Sequence, residues 1–124
     1  MLPPVLLVED ELACGATLRV AFEAPGVPLL EHTVTAEHAL AILHERPVSA
    51  LITDIDLPSM NGFELIEKVR AEPRLSTLPI IVTSAATDAA TRERALRLGA
   101  AAFFAKPYSP FAIRHKVEEL IRDQ

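Results

Sequence analysis

Ala50-Leu51-Ile52-Thr53-Asp54-Ile55-Asp56-Leu57-Pro58-Ser59-Met60-Asn61-Gly62 contains the change of pattern that decides the fold. A short, nearly all-apolar run ends on an acid, as expected of a strand covered on both faces. A loop bearing Pro58 and Gly62 comes next. Asn61 then stands where a helix cap belongs, ahead of Phe63, Leu65, Ile66 and Val69 at helical spacing. Glu64 and Lys68 form an i, i+4 pair on that helix.

The same alternation recurs along the chain. Apolar runs fall at 5–8, 27–34, 50–53, 80–83 and 102–105. The second is broken by Glu31, His32 and Thr33, which marks an edge strand. Between the runs lie helical patterns. Leu12, Ala16 and Val20 repeat four apart on one face. Ala36, Ala39, Leu40 and Leu43 follow a Thr35 cap. Thr87 or Asp88 opens a fourth helix, with Gly99 at its C-terminal cap. Ser109-Pro110 opens the last, whose buried stripe is Ile113, Val117, Leu120 and Ile121. Five strands alternating with five helices predict a parallel α/β sheet, helices on both faces and right-handed crossovers.

The 124 residues suit one domain, spanning 1–124. With 50% hydrophobic and 23% charged residues the chain reads as globular. A single cysteine, Cys14, excludes an internal disulfide framework and suits a reducing compartment. No apolar run approaches a membrane span, and Met1-Leu2-Pro3-Pro4-Val5 lacks the basic start of a signal peptide. The expected location is therefore cytoplasmic, with no membrane partner. A net charge of −5 argues against direct nucleic-acid binding.

The polar residues at the strand ends carry the functional information. Glu9-Asp10 follows the first strand, Asp54 ends the third, Ser84 ends the fourth and Lys106 follows the fifth. In an open parallel sheet these ends share one rim, where ligands bind. Clustered carboxylates repel one another, and a hard divalent cation relieves that repulsion. Mg²⁺ takes a few carboxylates and keeps waters for phosphate oxygens. With Lys106 and the Ser84 hydroxyl, these parts can stabilise a transferring phosphoryl group. The ionised Asp54 is a competent nucleophile.

Taken in order, these residues resemble the receiver domain of two-component response regulators, over essentially the full length. The motifs are Val8-Glu9-Asp10-Glu11, the stretch from Ile52 to Gly62, Thr83-Ser84-Ala85, and Gly99-Ala100-Ala101-Ala102-Phe103-Phe104-Ala105-Lys106-Pro107. The resemblance implies a flavodoxin-like doubly wound (βα)5 sandwich of strand order 2-1-3-4-5. It makes Asp54 the phosphoacceptor. Asp10 would ligate Mg²⁺ directly, Glu9 through water, and Asp56 through its backbone carbonyl. Ser84 and Lys106 would bind phosphoryl oxygens. Ser84 and Phe103 would form the switch, and Lys106-Pro107 would be a cis bond that aims the lysine. Pro58 and Gly62 shape the loop. The donor would be a sensor histidine kinase or a histidine phosphotransfer protein. The surface of the fourth helix, fifth strand and fifth helix would change shape to control an effector or output domain that the sequence leaves unidentified, with homodimerisation on phosphorylation possible. Such a domain is not an enzyme on other substrates; it catalyses only its own phosphorylation and dephosphorylation.

Single features admit other readings. Asp54-Ile55-Asp56 also resembles the DxD of haloacid-dehalogenase-type phosphatases, but there the nucleophile follows the first strand and the paired acids come late. A receiver-like module that never carries phosphate would lack an acid, the lysine or the hydroxyl. The histidines His32, His38, His44 and His115 have no metal-ligand spacing and read as surface residues. Cys14 reads as packing, and Arg92, Arg94 and Arg97 as a solvated face or partner site. Two departures from the family pattern are the second acid, Asp56, and phenylalanine rather than tyrosine at 103.

Overall fold

The computed structural model describes residues 2–86 and 88–123. Thr87, offered with Asp88 as a helix start, lies outside the described residues, as do Met1 and Gln124, the ends of the expected 1–124 domain. The strands are β1 (Val5–Val8), β2 (Leu30–Thr33), β3 (Ala50–Asp54), β4 (Ile80–Ser84) and β5 (Ala102–Ala105). They alternate with α1 (Leu12–Ala21), α2 (Ala36–Glu45), α3 (Gly62–Ala71), α4 (Ala89–Arg97) and α5 (Pro110–Arg122). All neighbouring strands are parallel, in the order β2-β1-β3-β4-β5. This is the flavodoxin-like arrangement expected from the sequence.

Side chains alternate across each strand and so feed two cores. Leu6, Val8, Leu51, Ile80 and Val82 point to the layer containing α2, α3 and α4. Val5, Leu7, Ala50, Ile52 and Ile81 point to the layer of α1 and α5. Every residue of β1, β3 and β4 is buried, which explains their nearly all-apolar patterns. β2 is an edge strand, with Glu31 and His32 half-buried. It is shorter than the run at 27–34. Gly26 turns with φ 78°, and Pro28 has no N–H for a ladder.

The caps follow the sequence closely. The side chains of Thr35, Asn61, Asp88 and Ser109 accept from the amides of His38, Glu64, Thr91 and Ala112. Glu64 turns back to the Asn61 amide at 3.2 Å, completing a capping box, and forms no ion pair with Lys68 among the described residues. Gly99 has φ 115°, as its place after α4 predicts.

Two expectations are corrected. The Leu12, Ala16, Val20 face of α1 is turned to solvent, with Leu12 71% and Val20 66% exposed. The buried face carries Gly15, Leu18 and Ala21 instead. His32 is no surface bystander; its ring is tucked between β2 and α1, against Gly15. The other three histidines are exposed: His38 meets the Thr33 hydroxyl at 2.6 Å, and His44 lies 3.4 Å from Glu72.

Candidate functional site

Register brings the polar residues together. Val8 pairs with Thr53, Asp54 with Thr83, and Ser84 with Ala105. Glu9-Asp10, Asp54, Ser84 and Lys106 therefore sit at the carboxyl ends of four adjacent strands. Glu9, Asp10 and Asp54 each offer a carboxylate oxygen, all within 4.8 Å of one another. Glu9 and Asp54 are buried, and Asp10 is exposed.

Lys106 closes the cluster from β5. Its Nζ donates to Glu9 Oε1 at 2.8 Å and to Asp54 Oδ2 at 2.9 Å. Burial alone would lower the lysine's pKa, but the two carboxylates outweigh it and hold the ammonium well above its ordinary value. Burial raises the Glu9 carboxyl, and Lys106 and the Glu11 amide offset part of the rise. The Lys106–Pro107 bond is cis.

The β3–α3 loop holds Asp54 from the other side. The Asp56 amide donates to Asp54 Oδ1 at 3.3 Å, while the Asp56 side chain faces solvent. Gly62 donates to the Ile55 carbonyl at 2.9 Å. A Cβ on Gly62 would overlap the Asp54 carbonyl oxygen and lie 2.8 Å from Ile55 Cα. Glycine is required there by close backbone approach, which gives the loop-shaping expectation a physical cause. Pro58 is exposed in the same loop, beside Ser59 at φ 64°. Ser84 is fully buried, and its Oγ accepts from the Ala86 amide at 3.0 Å. Phe103 is half-buried on β5 and packs against the α2–α4 core.

The donor set fits Mg²⁺. Two buried acids and one exposed acid supply hard oxygens on one side and leave the solvent side open for water and phosphate. Lys106 supplies the positive charge among the acids in this structure.

Some features escaped the sequence reading. The Tyr108 phenol is pushed up to about 12 by burial. It lines a groove with Glu11, Cys14, Thr17 and Lys106 between α1 and the start of α5. All three arginines of the cluster are exposed, and the Arg94 guanidinium lies 4.1 Å from the centroid of the Phe63 ring. No local pattern announces either contact.

An open parallel sheet with an acidic trio and a lysine on its carboxyl rim defines the class. Residues 5–118 match the response regulator receiver domain, and the chain belongs to that family. It is 34% identical over 122 residues to the phosphate regulon transcriptional regulatory protein PhoB of Rhizobium meliloti, covering 98% of this chain and 53% of that protein. The chain thus spans about half the length of that relative. It is 36% identical over 91 residues to a chemotaxis protein CheY homolog of Campylobacter jejuni, covering 73% of this chain and 68% of that protein. Among solved structures, a CheY-like receiver domain protein of Methanospirillum hungatei superposes with TM-score 0.88 at 26% identity, covering 99% and 96% of the two chains. No helix among the described residues is long and apolar enough to cross a membrane.

Proposed function

We propose that the domain accepts a phosphoryl group on Asp54 from a phosphohistidine, with Mg²⁺ bound, and passes the signal on as a change of surface. The observation that carries the reading is the charge arrangement at Asp54. One carboxylate oxygen is held by Lys106 at 2.9 Å, and the other receives the Asp56 amide at 3.3 Å. The side chain is buried and oriented from both sides, at the rim beside the exposed Asp10.

Glu9, Asp10, Asp54 and the Asp56 carbonyl would hold Mg²⁺, which supplies charge neutralisation for the phosphoryl oxygens. Asp54 attacks phosphorus, a P–O bond forms, and the N–P bond to the donor imidazole breaks with its electron pair on nitrogen. Lys106 moves from carboxylate to phosphoryl oxygen. The Ser84 hydroxyl turns toward the new group, and Phe103 moves inward into the space it leaves. The α4–β5–α5 surface then shifts between two states.

The donor docks over the rim, and the partner beyond it is a separate effector or an output domain. Phosphorylation-dependent homodimerisation belongs to the same reading. So do a cytoplasmic location, the absence of direct nucleic-acid binding and the absence of turnover on other substrates. Incubation with acetyl phosphate and Mg²⁺ should label the protein. Asp54→Ala or chelation should abolish labelling, and labelling that survives both would overturn the assignment.

A further inference from the structure

Glu9 lies one residue beyond β1, where strand pairing stops, yet its backbone is held on both sides by β2. Its amide donates to the Thr33 carbonyl at 3.0 Å. Its carbonyl lies 2.7 Å from Nε2 of His32. A carbonyl only accepts, so Nε2 carries the proton, and the neutral ring is the Nε2–H tautomer. The side chain is held as well, by Lys106 on Oε1 and by the Glu11 amide on Oε2.

Space for the imidazole comes from α1. Gly15 is buried in mid-helix, where glycine is less favourable than alanine because its backbone loses more freedom on folding. No left-handed backbone angle demands it there. A Cβ at that position would overlap Cε1 and Nδ1 of His32 and stand 2.9 Å from Nε2. The glycine has a reason once the ring is considered: the ring lies flat where a side chain would be.

We infer that His32, seated on Gly15, is a positioning residue that fixes the Glu9 carbonyl and thereby sets the Glu9-Asp10 pair in its metal-binding geometry. This rests on the acceptor-site reading above. His32 touches neither metal nor phosphate; it acts through the main chain of the residue that bears the ligand. Partners behind metal ligands typically change metal affinity 10–100-fold when removed. Because His32 acts on backbone, the expected effect lies at the lower end of that range.

The test is a Mg²⁺ titration followed by the backbone amide signals of Glu9, Asp10 and Glu11, without phosphorylation. His32→Leu keeps much of the volume, loses the donor, and should weaken Mg²⁺ about tenfold. His32→Gln, whose amide can place an N–H near the Nε2 position, should remain within about threefold of wild type. Equal Mg²⁺ affinity in a folded His32→Leu variant, or an equal loss in His32→Gln, would overturn the role. Should His32→Leu fail to fold, the unmodified chain still decides. Its long-range proton–nitrogen spectrum near neutral pH should show His32 as the Nε2–H tautomer, and the Nδ1–H tautomer would refute the proposal. Failure of the wild-type chain to bind Mg²⁺ would overturn this role together with the acceptor-site reading, whereas the variant comparison strikes His32 alone.

Discussion

Replacing Lys106 by methionine keeps most of the stem and removes the charge that joins the carboxylates. The lysine side chain is 17% exposed, against 1% for Glu9 and 7% for Asp54, so both ion pairs are largely withdrawn from water. Removing one partner of a buried pair costs about 3–5 kcal/mol, because the other charge is left without compensation. The partial exposure of the lysine places Lys106→Met near the low end, about 3 kcal/mol less stable than wild type in metal-free buffer at neutral pH. Mg²⁺ should then help the variant more than the wild type, since it no longer competes with an ammonium for Glu9 and Asp54. A tenfold gain in Mg²⁺ affinity would recover about 1.4 kcal/mol at fixed excess metal and roughly halve the deficit. The deficit also depends on pH. Burial already raises Glu9 above 4.5, and loss of the lysine raises it further. A carboxyl raised on folding favours the folded chain fully below its unfolded value and loses that contribution as pH rises through the folded value. The gap to wild type should therefore close as pH falls toward 4.5. Urea unfolding, with chelator and with Mg²⁺ at neutral pH and again as the pH is lowered, measures all three. A metal-free deficit under about 1 kcal/mol, or one that Mg²⁺ leaves unchanged, would refute the reasoning.

Gly62→Ala drives a methyl into the Asp54 carbonyl and should cost about 2–3 kcal/mol in urea unfolding while slowing labelling by acetyl phosphate; a variant equal to wild type in both would mean the loop simply opens. Tyr108 is the only tyrosine in a chain without tryptophan, so ultraviolet titration of its phenolate is unobstructed. Its midpoint should lie near 12, and because ionisation is disfavoured by burial, folded stability should fall as pH rises from 10 toward 12; a midpoint at 10 would contradict the burial argument. Asp56→Asn should change the lifetime of phosphorylated Asp54, because on the proposed reading this exposed side chain would flank the path of attacking water. An unchanged dephosphorylation half-life would remove Asp56 from that role.

The fold and the rim were legible for one reason. In a parallel sheet every strand points the same way, so the residue after each apolar run lands at the same edge, whatever the distance in sequence. Glu9, Asp54, Ser84 and Lys106 needed no contact prediction; their place after a strand was enough. Cap residues were legible because Thr35, Asn61, Asp88 and Ser109 act within three residues of themselves.

Sequence could not give the direction in which a periodic face turns. Leu12, Ala16 and Val20 have the spacing of a core stripe, and the spacing is the same whether that stripe meets the sheet or water. The decision lies with the opposite face, where Gly15 is small enough to admit the ring of His32 from β2, and Leu18 and Ala21 follow it into the core. Turning α1 by half a revolution would bury Leu12 and Val20 but withdraw Gly15 from the imidazole. A larger residue would then meet the ring, and the Glu9 carbonyl would lose its donor at 2.7 Å. The exposed apolar stripe and the pinned acidic pair are thus two consequences of one complementary contact between residues 15 and 32. A one-dimensional pattern can register each partner but not their fit.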